Sequence, residues 1–156
     1  MTRLPLKHDT FVVDRSYPHD VATVFAAFSD PRKKARWYAQ SGTHEVVSYD
    51  LEFTVQGHEI LVGRMGPDTP VAGQIITWTQ TFVEIVDEQH FVCTQTVDVA
   101  GRRISCALIT VQFGPQGLGS TVKLTHQAVF MEPSDGPEMR RAGWAILLDA
   151  LSDCLA

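Results

Sequence analysis

The hydrophobic pattern changes period along this chain. From Pro137 to Leu155 the apolar positions recur at helical spacing. On a helical wheel, Met139, Gly143, Trp144, Ile146, Leu147, Leu148, Ala150, Leu151, Cys154 and Leu155 fill about half the circle. Glu138, Arg141, Asp149, Ser152 and Asp153 fill the rest. So wide an apolar arc needs a broad, concave partner rather than one neighbouring helix.

The middle of the chain predicts that partner. Thr121 to Phe130 alternates with a period of two: Val122, Leu124, His126, Ala128 and Phe130 share one face, and Thr121, Lys123, Thr125, Gln127 and Val129 the other. The first set is assigned to the inside. Strand-like runs also cover Thr10 to Tyr17, Glu45 to Val55, His58 to Met65, Gln74 to Ile85, Phe91 to Val99 and Arg103 to Phe113. Gln56-Gly57, Asp87-Glu88 and Ala100-Gly101 read as tight turns, so the later strands should pair antiparallel. Gly66 to Pro70 is a loop by composition. Gly114 to Gly119 is glycine-rich, but a strand follows it rather than a helix, so it reads as a hairpin loop and not a phosphate cradle.

Residues 1–8 read as a short arm. After the first strand, Pro18 is placed as the first residue of a helix, capped by Ser16 or Tyr17 and carrying Val21, Val24, Phe25 and Phe28 at helical spacing. Ser29-Asp30-Pro31 stops it and starts a second short helix, Arg32 to Tyr38. The whole predicts an α+β helix-grip fold. A curved antiparallel sheet of six or seven strands surrounds the long C-terminal helix, in one domain over residues 1–156.

Composition and charge narrow the setting. A chain of 156 residues, 44% hydrophobic, suits a globular domain that buries roughly 70% of its unfolded surface. Cys93, Cys106 and Cys154 lie in apolar surroundings without CxxC spacing, as expected of free thiols in a reducing cytosol. Met1 to Thr10 has no apolar leader region, and no window approaches the ~18 apolar residues of a membrane span. The formal net charge of −5 argues against nucleic acid as a partner. The expectation is a cytoplasmic protein with no membrane or nucleic-acid partner. A homodimer through an edge strand is compatible with the pattern but not required by it.

The pattern resembles the START-like (birch-pollen-allergen-like, SRPBCC) superfamily, and within it the heat-shock-protein-90 ATPase activator homologues. Three stretches carry the resemblance: Tyr17-Pro18-His19-Asp20-Val21-Ala22-Thr23-Val24-Phe25 with Ser29-Asp30-Pro31 and Trp37; Phe82-Val83-Glu84-Ile85 with Phe91-Val92; and Gly119 to Thr125 with Gly143-Trp144, Leu148, Leu151 and Leu155. The resemblance implies a deep apolar cavity between the sheet and the last helix. Members of the superfamily bind lipids, hormones or aromatic compounds there, and a few cyclise or dehydrate polyketides. Chaperone activators also carry a separate N-terminal domain, for which 156 residues leave no room.

Several residues are candidates for ligand contact. His126 points inward among apolar neighbours, where it would bond a ligand or act as a base, or else be a core histidine satisfied by a neighbour. Arg140 interrupts the apolar arc near the start of the last helix. There its guanidinium would meet a carboxylate or enolate at the cavity mouth, or snorkel to solvent. Trp37 and Tyr38 close the second short helix, either at a pocket mouth or as packing. The basic run Arg32, Lys33, Lys34, Arg36 is an anion site or a solvated helix face. Trp78, Gln80, Phe82 and Glu84 share one strand face, inner or outer; Trp78 and Phe82 join Trp144 as ligand-contact candidates. No His, Cys, Asp or Glu cluster has metal-ligand spacing, no cofactor motif is present, and no nucleophile elbow names a catalytic residue. The leading expectation is binding of an apolar small molecule, lipid-like or aromatic, in the sheet–helix cavity. The alternatives are a polyketide cyclase or dehydratase using His126 and Arg140, and a chaperone-regulating interaction module.

Overall fold

The computed structural model describes residues 5–40 and 42–155. Strand β1 (Leu6–Tyr17) leads into helices α1 (Val21–Ser29) and α2 (Pro31–Lys34), and a π-helical turn (Ala35–Ala39) continues α2. Strands β2 (His44–Leu51), β3 (His58–Met65), β4 (Ile75–Val86), β5 (His90–Val99), β6 (Arg102–Gln116) and β7 (Gly119–Met131) follow, and α3 (Gly136–Leu155) ends the described chain. The seven strands form one antiparallel sheet in the order β1-β7-β6-β5-β4-β3-β2. The chain therefore makes one long jump, from β1 across the sheet to β2, and the two short helices span it.

The expected α+β helix-grip architecture is the observed one. Each strand sends alternate side chains to the inner face, as with Phe91, Cys93, Gln95, Val97 and Val99 on β5 and Val122, Leu124, His126 and Phe130 on β7. Bulges interrupt the ladder between Val46 and Ser48, Phe82 and Glu84, and Val97 and Asp98. Such bulges bend strands and deepen their twist. The Tyr17 hydroxyl donates to the Leu148 carbonyl at 2.7 Å and ties β1 to the middle of α3.

Four local expectations are corrected. The strand begins at Leu6, so residues 6–8 are not part of an arm; they pair with Met131, Phe130 and Val129 of β7. Helix α1 starts at Val21 rather than Pro18, because the Asp20 carboxylate caps it by accepting from the Thr23 amide at 2.9 Å. Strand β2 ends at Leu51, short of Val55. There the chain coils into a tight turn in which Gln56 has φ 69° and a Cβ on Gly57 would lie 2.3 Å from the Glu52 carbonyl oxygen. Phe53 is thereby swung into the core, against Phe25, Phe82 and Phe91. Finally, the bulge after Phe82 breaks the alternation of β4. Trp78, Gln80 and Phe82 face inward, while Glu84 is exposed and paired with His90 at 2.6 Å.

Candidate functional site

Between the sheet and the first half of α3 lies a cleft of about 1010 Å³. Its floor is the inner face of β3 to β6, with Leu61, Ile76, Trp78, Gln95, Val97 and Ile104. Tyr38 from the π-helical turn and Trp144 from α3 stack over it with ring centroids 6.0 Å apart. Met139 and Ile146, 61% and 62% exposed, stand on the rim opposite the 66–74 segment. The wide apolar arc of α3 is thus divided. Leu148 and Leu151 are in the packed core, while Met139, Gly143 and Ile146 border the cleft.

Arg140 also borders the cleft, and each of its three guanidinium nitrogens has a protein partner. Nε and Nη2 donate to the Asp135 carboxylate at 2.7 and 2.8 Å, Nη1 donates to Ser105 Oγ at 2.9 Å, and the group lies 5.2 Å from the Phe130 ring centre. This bidentate clamp holds the 133–135 loop against the start of α3 and the sheet. His126 is elsewhere. It is 0% exposed, outside the cleft lining, and stacked 4.4 Å from its cross-strand neighbour Phe11. Among the described residues neither ring nitrogen has a hydrogen-bond partner. Burial, reinforced by the nearby Arg140 charge, pulls its pKa down to about 4, so the ring is neutral at pH 7. The two residues do not meet at the cleft: Arg140 borders it, and His126 lies outside its lining.

Of the other sequence-level candidates, Tyr38, Trp78 and Trp144 meet at the cleft. Trp37 and Phe82 do not line it. Trp37 is fully buried with its indole donating to the Ala27 carbonyl at 2.8 Å, and Phe82 is packed among Phe53 and Phe91.

Beside the closed end of the cleft is a polar network that the sequence reading did not find. Lys34 is buried and sets Nζ 3.0 Å from Glu59 Oε1, with the rings of Phe28, Trp37 and Tyr38 around it. The basic run is therefore not uniformly a solvated face: Arg32, Lys33 and Arg36 are exposed, and Lys34 points in. The Tyr49 hydroxyl donates to the other Glu59 oxygen at 2.5 Å. A second chain runs from Cys93 Sγ to Gln80 Oε1 and from Gln80 Nε2 to the Tyr38 hydroxyl, both at 3.0 Å. Burial and the Glu59 charge push the Tyr38 and Tyr49 hydroxyls well above the usual tyrosine pKa, and burial pushes the Cys93 thiol up to about 12. All three stay protonated at neutral pH and are not nucleophiles; Tyr49 and Cys93 donate to Glu59 and Gln80, while the Tyr38 hydroxyl accepts from Gln80. One signal was available in the sequence. Glu59 alternates with Leu61 and Gly63, and Gln95 with Cys93 and Val97, so each belongs to an inner face.

Among the described residues no group of His, Cys, Asp and Glu is placed to hold a metal ion, and no helix is long and apolar enough to cross a membrane.

Comparison with known proteins gives the family. The model of the family described as "Activator of Hsp90 ATPase homolog 1-like protein" matches residues 18–156. The chain belongs to that family. An uncharacterized protein from Rhizobium leguminosarum has the same fold at a TM-score of 0.90 and 28% identity, over 99% of this chain and 98% of that one. A protein from Rhizobium loti matches at 0.84 and 27% identity, over 96% of this chain and 99% of that one. DynU16, a protein in the dynemicin biosynthetic locus, shares the fold at a TM-score of 0.66 and 15% identity; the match spans 94% of this chain and 47% of that one. No curated protein matches. The family model and these neighbours agree with a START-like fold.

Proposed function

We propose that this member of the activator-homologue family binds a small, mainly apolar molecule, lipid-like or aromatic, between the sheet and the first half of α3. The observation that carries the reading is the cleft itself. At about 1010 Å³, floored by Trp78, Ile76 and Val97 and roofed by Tyr38 and Trp144, it has the size and lining of a small-molecule site. The rim residues Met139 and Ile146 leave apolar side chains exposed at its edge. The fold shared with a biosynthetic-locus protein is in keeping with a small-molecule role. A cyclase or dehydratase has less support, because Arg140 is held by Asp135 and Ser105, and His126 lies off the cleft.

Native mass spectrometry of freshly purified protein, followed by tryptophan fluorescence on adding the recovered compound, tests the reading. The expected result is a retained non-protein mass and a fluorescence change that Trp78→Phe and Trp144→Phe diminish and Trp37→Phe does not. No retained mass, together with no fluorescence response to a panel of fatty acids and fused-ring aromatics, would remove it.

A further inference from the structure

The inner face of the sheet carries two glutamines directly opposite each other, Gln80 on β4 and Gln95 on β5. Their amides are treated differently. Gln80 is complete: its nitrogen donates to the Tyr38 hydroxyl and its oxygen accepts from Cys93. Gln95 lines the cleft and is 2% exposed, and among the described residues its Oε1 has no hydrogen-bond partner. The residue across from it on β6 is Ala107, whose small side chain leaves the amide room. Buried polar atoms are nearly always paired, and an orphan acceptor in a cleft wall is a feature a ligand can complete. Apolar floor residues flank the amide, with Trp78 and Val97 the next inner pair along β4 and β5.

We propose that Gln95 is the polar anchor of the cleft and that the ligand is an apolar, ring-bearing molecule with a single hydroxyl directed at the Gln95 amide. The inference rests on the cleft reading and adds to it the chemistry that orients the ligand. An apolar ring lies between Trp78 and the Tyr38–Trp144 pair, and its hydroxyl reaches down to the floor. A site built around such an incompletely paired amide discriminates against the same ring lacking the hydroxyl, since the amide then stays without a partner.

Calorimetric titration with 2-naphthol and naphthalene tests the proposal. These probes share a fused-ring body and differ in one hydroxyl donor. Wild type should bind 2-naphthol roughly fivefold to tenfold more tightly than naphthalene. Gln95→Met should lower the 2-naphthol affinity to the naphthalene level and leave the naphthalene affinity in place, which also reports an intact cleft. Gln95→Asn, which withdraws the amide by one methylene, should lose the preference too and serves if the methionine variant does not fold. Equal binding of both probes to wild type, or a preference that survives in both variants, overturns the Gln95 assignment while the cleft reading stands. Binding of neither probe to wild type overturns the ring-bearing ligand inferred for Gln95, while the cleft reading is decided by the native mass spectrometry and the fatty-acid panel.

Discussion

Lys34 and His126 are both basic side chains buried against the inner face of the same sheet, yet they are accommodated in opposite ways. Lys34 is enclosed by a carboxylate and three aromatic rings, and its partner Glu59 has its second oxygen filled by Tyr49. His126 has rings stacked beside it and, among the described residues, no partner for either nitrogen. The first solution keeps charge inside by pairing it. The second admits the residue only in its uncharged form. The difference teaches which part of the core is a closed polar assembly and which is held by packing alone, and it bears on ligand binding because Tyr38 joins the closed assembly to the cleft.

The largest effect should come from breaking the pair. Lys34→Met leaves the Glu59 carboxyl buried without its counter-ion, and should lower stability by about 3–5 kcal/mol in urea unfolding. Lys34→Met combined with Glu59→Leu should recover much of that loss, because no uncompensated charge remains. A double variant no more stable than the single one would show that the pair is not acting as a unit.

The next effect is pH dependence through His126. Unfolded, its imidazole takes up a proton below about pH 6.5; folded, it does so only near 4. Between those values the unfolded state binds more protons, so stability should fall as pH drops through the window, by about 3 kcal/mol in total. Substituting His126→Phe should flatten that part of the pH–stability profile. A variant profile that tracks wild type between pH 6.5 and 4 would assign the dependence to other groups.

The two halves of α3 should respond differently to truncation, and the rim should give the smallest effect. Leu148→Ala, in the fully packed half, should cost about 2–5 kcal/mol. Ile146→Ala, on the rim, should change stability by no more than about 0.5 kcal/mol while weakening any cleft ligand. Comparable losses of stability at both positions would mean that the rim is part of the packed core.

The architecture was legible because it rests on period. Alternation in β7 placed His126 indoors, helical spacing after Pro137 found α3, and turn residues located the hairpins. Errors fell where a local hydrogen bond or one extra residue overrode the pattern. Asp20 took the cap that the sequence reading assigned to Ser16 or Tyr17, and the bulge after Phe82 turned Glu84 outward although its spacing matched Trp78. The candidate site was half legible. Tyr38, Trp78 and Trp144 meet at the cleft, whereas Lys34 was hidden inside a run of basic residues that otherwise face solvent.

By itself, then, the sequence determined which face of each strand and helix is apolar, because side-chain direction repeats with a fixed period along each element. It also carried enough family pattern to place residues 18–156. Only the tertiary structure decided how the polar groups on those inner faces are paired. Lys34 meets Glu59 from 25 positions away, Tyr38 meets Gln80 from 42, and Arg140 meets Ser105 from 35, while the Gln95 carbonyl meets none among the described residues. Such pairings depend on the curvature of the sheet and the seat of α3, which no local period encodes.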